Sequence, residues 1–371
     1  MPRQLRAVAV AIFAAFVGAW ACGGARADEP APASGPASPP EVRAGDATVF
    51  RIGVLLQPQA AWTALPEGGT SQSLLLRRAR VTLGGELTRR FAFVVAVEAQ
   101  RIGAVDASGS KAASPDVRIL DAVAAWRVAR GLELWAGRTY VPTSREVLKS
   151  STSLLPLDGA DLPQVPTLAL GGTSGRDVGF QLRGLLLGDR LEVRTGVFQG
   201  ARDDASRRPF RAVARLQANL LDTEAQAFPA YPGSYRGTAR VLAVGLSFDA
   251  QLAYRGVTAD VFADVPVAFG SVLGTATWQH LDGGTSFPAL PRQDLFSVEA
   301  GLFHARTKLG GWARWERRAP EGAPGQELVA AGLSWFFRGN ALNLKAGWGR
   351  TVPEGAPGSD RLTLQLQLFA N

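Results

Sequence analysis

The chain is poor in cysteine, histidine and lysine, and it has no long apolar run. Among its 371 residues the only cysteine is Cys22, which falls inside an apparent export signal. The remainder then carries no thiol, which excludes disulfides and any cysteine-based metal site. The two histidines, His280 and His304, sit on separate segments, and no carboxylate or serine is linked to either by spacing. A nucleophile needs a base within hydrogen-bond reach and a metal needs several converging ligands, so neither an enzyme nor a bound metal or other cofactor is expected. A membrane helix needs about 20 apolar residues. The best candidate after the signal, Leu328 to Phe337, is half that length.

The N-terminus has the build of a cleavable signal. Arg3 and Arg6 precede the apolar stretch Ala7 to Ala21, and Ala25-Arg26-Ala27 has the A-x-A form of a cleavage site. Lipidation at Cys22 is the rival reading, but Trp20 stands where such signals want a small residue. The expected organisation is a signal peptide over 1–27, a flexible Pro/Ala-rich periplasmic leader over 28–46, and one domain over 47–371. Losing Arg3, Arg6 and Arg26 lowers the formal charge from +8 to +5. That modest excess, with no basic block beyond Arg77-Arg78-Ala79-Arg80, excludes a nucleic-acid-binding protein.

From Asp46 onward the chain alternates with a period of two. Leu362, Leu364, Leu366 and Leu368 alternate with Thr363, Gln365 and Gln367. Leu120, Ala122, Ala124, Trp126 and Val128 alternate with Asp121, Val123, Ala125 and Arg127. In a strand each set occupies one face. About sixteen such segments lie between residues 47 and 369, each close to the length of a tilted membrane-crossing strand. Short connections such as Ala129-Arg130 and Gly188-Asp189 alternate with longer ones, as periplasmic turns alternate with outer loops. Leu220 to Thr238 and Ala250 to Gly256 break that rule, so the strand count carries a margin of two. Trp62, Trp126, Trp278, Trp315, Trp335 and Trp348 share the apolar face, mostly near segment ends, as an interfacial girdle requires. The fold class is therefore all-β: a transmembrane antiparallel β-barrel in the cell outer membrane, in contact with its lipid.

Several stretches, in order, resemble the phosphate-selective porin O and P family. They are Leu75 to Gly85, Leu132 to Pro142 followed by Ser144-Arg145-Glu146, Arg176 to Gln181, Gly196 to Gly200, Asn343 to Arg350 and Leu362 to Phe369. The resemblance spans roughly residues 48–369 and implies sixteen strands, a homotrimer and a long third loop folded into the lumen. The chain departs from the pattern in ending Phe369-Ala370-Asn371 and in offering only Lys111, Lys149, Lys308 and Lys345 to any lysine cluster.

The irregular segment Pro142 to Gly175 is the expected third loop. Were a helical turn to begin after Pro142, Arg145 and Lys149 would share one face and act on the same passing ion, unless Glu146, Asp158 or Asp161 neutralised them. Parity places Arg78, Arg80, Arg127, Arg183, Arg194, Arg215 and Arg314 on the lumen face. It places Glu86, Glu98, Asp121, Glu133, Asp177, Glu192, Glu299 and Glu316 there as well. With Arg145 and Lys149, Arg78, Arg80, Arg127, Arg183, Arg194 and Arg215 are the candidate pore-lining, anion-binding residues. Balanced signs also fit cross-strand braces, and the Arg78–Arg80 pair beside Arg77 is the best candidate for an uncompensated stripe. Trp135 and Trp312 face inward by the same parity and could take a ring-shaped solute. The function that fits is a passive, water-filled porin for small hydrophilic solutes, mildly anion-selective, with phosphate-type anions implied by the resemblance. The alternative is a non-channel barrel serving as adhesin, receptor or structural anchor.

Overall fold

Alternation of this kind gives a sheet with one apolar and one polar face, and inside a bilayer such a sheet must close so that no backbone group is left unpaired. The computed structural model describes residues 41–44, 48–65, 68–105, 111, 116–203, 205 and 207–370. The strands are β1 (Glu41–Ala44), β2 (Thr48–Ala64), β3 (Thr70–Thr88), β4 (Phe91–Ile102), β5 (Asp116–Ala129) and β6 (Leu132–Tyr140). They continue with β7 (Arg176–Leu186), β8 (Leu191–Phe198), β9 (Arg211–Asn219), β10 (Val241–Gln251), β11 (Tyr254–Val267) and β12 (Gly270–Asp282). The last are β13 (Gln293–His304), β14 (Leu309–Pro320), β15 (Gln326–Trp335), β16 (Leu342–Pro353) and β17 (Ser359–Ala370). Two short helices, α1 (Arg145–Leu148) and α2 (Val165–Ala169), lie between β6 and β7.

Strands β2 to β17 form one closed antiparallel ring of sixteen. Each pairs with the next in sequence, and β17 returns to β2 from Asp360↔Ala64 to Ala370↔Val54. The short β1 pairs with the start of β2, Glu41↔Arg51 to Ala44↔Thr48. The proposed signal and cleavage site lie outside the described residues, as does the leader apart from Glu41–Ala44. Both connections that broke the length rule keep their places: Leu252-Ala253 links β10 to β11, and 220–240 links β9 to β10. The count of sixteen therefore stands.

The two faces differ as the period requires. On β10, Val244, Leu246 and Phe248 are 45%, 55% and 48% exposed, while Ala243, Ser247 and Asp249 are 2%, 4% and 4%. Trp126, Trp278, Trp315 and Trp335 are exposed on the apolar side, and Trp135 and Trp312 are buried on the other. Four register shifts interrupt the ladders among the described residues; those at Leu87 and Val128 lie beside turns, and two shift the parity within a strand. One falls in β5, where Ala96 opposes Asp121 but Val97 opposes Ile119, so Leu120 turns inward and is buried, against its expected place beside Ala122. The other falls opposite Pro58, where Arg78 pairs with Gln57 and Leu76 with Pro58, leaving Arg77 as the extra residue. Strands β2 and β3 also run longer than the alternation suggests. Thr70, Ser71 and Gln72 at the start of β3 are exposed polar residues, so no apolar period marks that stretch.

Candidate permeation pathway

The inner wall is braced by charge pairs between strands. Arg80 Nη2 meets Glu98 Oε2 at 2.5 Å, Arg176 Nε meets Asp121 Oδ1 at 2.8 Å, and Arg314 Nη2 meets Glu299 Oε2 at 2.5 Å. Arg211 on β9 pairs with Asp249 on β10 at 2.5 Å. Arg215 reaches across β10 to Asp260 on β11, with contacts of 2.6 and 2.7 Å. Gly245 makes that crossing possible: a Cβ there would collide with the Arg215 guanidinium and lie 2.6 Å from Asp260 Oδ1. Around the seam of the barrel the ladder is neutral. Gln57 donates to Gln367 at 2.9 Å and Gln59 to Gln365 at 3.3 Å, closing β2 onto β17 through amides.

Segment 142–175 is held by this polar face. Ser144 caps α1, its Oγ accepting from Val147 N at 3.1 Å. The carbonyls of the segment then accept from wall side chains. Lys345 Nζ donates to Leu154 O at 2.7 Å and Pro156 O at 2.9 Å, Ser334 to Leu155 O at 2.6 Å, and Gln367 to Thr152 O at 2.9 Å. Arg314 donates to Gly159 O at 3.0 Å, and Glu316 accepts from the backbone N–H groups of Asp161 and Leu162 at 3.1 and 2.9 Å. Leu155 packs onto Gly301 and Gly310, and Leu157 onto Gly347, where any side chain would displace them. Trp312 is occupied in the same cluster, with Leu155, Phe303 and Phe336.

The bulge at Arg77 has a consequence here. Arg77 Nε and Arg78 Nη2 both reach Asp158, at 3.2 and 2.7 Å. Burial alone would raise the Asp158 carboxyl, but Arg78 and Arg77 outweigh it and hold the group below the usual carboxylate range.

The connection 220–240 meets segment 142–175 from the opposite end. Tyr231 N donates to Leu148 O at 2.9 Å and Ser150 N to Tyr231 O at 2.8 Å, so the two backbones pair directly. Glu224 accepts both terminal nitrogens of Arg145, one at 2.6 Å, and also Tyr235 Oη at 2.6 Å and Gln217 Nε2 at 3.2 Å. The Arg145 guanidinium lies 3.8 Å from the Phe262 ring centre and 4.6 Å from that of Tyr231. Phe228 covers Trp135 edge-on at 4.9 Å, so that ring too is occupied. Between the two segments and the wall remains a cavity of about 440 Å³, lined by Ser150, Thr152, Ser234, Arg236, Asn340 and Phe369 among others.

Each of the eight candidate cations has an acid within ion-pair distance. Arg78 is with Asp158, Arg80 with Glu98, Arg127 with Glu86 at 2.8 Å, and Lys149 with Glu146 at 2.7 Å. Arg145 pairs with Glu224 and Arg215 with Asp260, while Arg183 and Arg194 share Glu192 and Arg183 also nears Glu133. The Arg78–Arg80 stripe is thus compensated. Arg145 and Lys149 do not act as a pair either: α1 ends at Leu148, Lys149 is extended, and the two turn to different acids. Of the cations that parity did not single out, Lys345 is held by carbonyls and Arg236 donates to Asn340 Oδ1 at 2.6 Å, and neither has an acid within ion-pair distance among the described residues. Glu224 and Tyr231 were also missed. The only sign of them in the sequence is the length of a connection where a turn was due.

A closed sixteen-stranded barrel, apolar outside and polar within, is an outer-membrane β-barrel of the porin class. The profile of the phosphate-selective porin O and P family matches residues 66–255, just over half of the chain, and the chain belongs to that family. Membership makes it a porin rather than an enzyme. Solved structures share the fold at low identity. An anion-selective porin from Comamonas acidovorans superposes with a TM-score of 0.58 at 12% identity, covering 87% of this chain and 99% of that one. Outer-membrane expressed OmpT of Vibrio cholerae gives 0.54 at 13%, covering 89% and 100%. OpdK of Pseudomonas aeruginosa gives 0.55 at 10%, covering 86% and 98%. No curated protein matches the chain in sequence.

Proposed function

We propose that this porin is a passive, narrow, water-filled channel for small hydrophilic solutes, mildly selective for anions and constricted by residues 142–175. The observation that carries the reading is the set of hydrogen bonds from that segment to polar-face side chains of β14 to β17, with Asp158 tied to β3 on the other side of the seam. Preference for anions rests on charge. Arg77 and Arg78 share one carboxylate, and Arg236 and Lys345 have none within ion-pair distance among the described residues. Phosphate-type solutes are supported by the family alone. A homotrimer is supported by the family resemblance and by OmpT of Vibrio cholerae, which is recorded in a trimer form. A signal peptide over 1–27 would deliver the chain to the outer membrane.

Reversal potentials across a KCl gradient test the selectivity. The expected sign is anionic, with an effect that shrinks as salt rises, because fixed charges reach about 10 Å at 0.1 M and about 3 Å at 1 M. Clear cation selectivity would contradict the reading. One observation favours a non-channel barrel: Gln365, Gln367, Arg183 and Lys345 on the polar face are fully buried. A purified barrel that inserts into bilayers but passes no current would establish that alternative.

A further inference from the structure

The 21-residue connection between β9 and β10 is out of proportion to its task, since two neighbouring antiparallel strands need only a short turn. It spends that length inside the barrel. Its backbone pairs with residues 148–150, Gly233 N donates to Ser153 Oγ at 2.8 Å, and Asp264 of β11 accepts from Tyr235 N at 2.6 Å. Glu224 is its one buried acid, and Arg145, Gln217 and Tyr235 all donate to that carboxylate.

We infer that residues 220–240 are the inner half of the constriction, and that Glu224 is a selectivity-determining residue because it cancels Arg145. The inference rests on the reading of 142–175 as the narrow part of the pore. Its logic is a charge count. Among the described residues Arg145 and Glu224 are each other's ion-pair partner, one charge of each sign. Replacing Glu224 by glutamine keeps an oxygen for Arg145 and the shape of the site, but leaves Arg145 as one uncompensated positive charge. A net charge at a constriction acts directly on the ions that pass it. Arg145, for which the sequence suggested an anion-binding role, is then silent in the native channel and becomes active only when its partner is neutralised.

Three variants test this in the full chain, reconstituted in planar bilayers. Glu224→Gln should raise the chloride-to-potassium permeability ratio by about twofold, and Arg145→Gln added to it should restore the native ratio. A merely structural role for Glu224 would not produce that reversal. Replacing residues 225–234 by two glycines should at least double single-channel conductance with 142–175 intact. If the shortened variant does not assemble, the permeability ratios of the other two decide alone. An unchanged ratio in Glu224→Gln or an unchanged conductance in the assembled shortened variant would each overturn the inference. A native channel without conductance would instead sink the porin reading on which it depends.

Discussion

At the scale of single residues, the interior is governed by the cost of an unpaired charge. A buried ion pair contributes little net stability against an apolar pair, but removing one member strands the other at about 3–5 kcal/mol. That asymmetry explains why the wall arginines come with acids, and why Gly245 leaves room for Arg215 to cross a strand. The sequence showed which side chains faced inward but not which were partnered. Arg145 and Glu224 lie 79 positions apart, and no local pattern links them. Asp158 gives a pH prediction. Arg78 and Arg77 hold its carboxyl below the ordinary value, so its contribution to docking is complete above the unfolded value of about 3.9. It is lost only as pH falls through the lower folded value. Asp158→Asn should therefore raise single-channel conductance or its noise at pH 7, and native and variant channels should converge only below about pH 4. Native and variant channels already alike at pH 5 would show that the Asp158 anchor does not hold the segment.

At the scale of elements, strands were legible because one face meets lipid and the other does not, so a period of two is written into composition. The signal fails where that contrast fails. The polar start of β3 is exposed on both faces, and the bulges at Arg77 and Leu120 shift parity without changing composition. The inward turn of 220–240 was illegible for another reason: its partners are the irregular segment 142–175 and wall side chains distant in sequence. On β17, Thr363 and Gln365 are buried whereas Leu364 is 41% exposed. Single-cysteine labels at residues 362 to 365 should alternate between lipid and polar environments, read by quenching from each phase. Accessibility with a period near 3.6, or uniform burial, would contradict the strand assignment.

At the scale of the whole molecule, the barrel is a wall closed by an amide seam at β2 and β17, with two connections, one from each end, hydrogen-bonded to its polar face and to each other. Phe369, the last aromatic residue, faces the cavity between them rather than the lipid, so the outward register of β17 finishes on Ala370. The sequence anticipated the closed barrel, the family and the presence of a long third connection. It did not anticipate how much of the polar face that connection and its counterpart would cover. The central claim is that residues 142–175 set the width of a working channel. It is tested most directly by single-channel conductance of the native protein and of a variant lacking residues 150–170, both checked for unchanged strand content. The native channel should conduct weakly and the variant severalfold more. Equal conductances would place the constriction elsewhere and contradict the account.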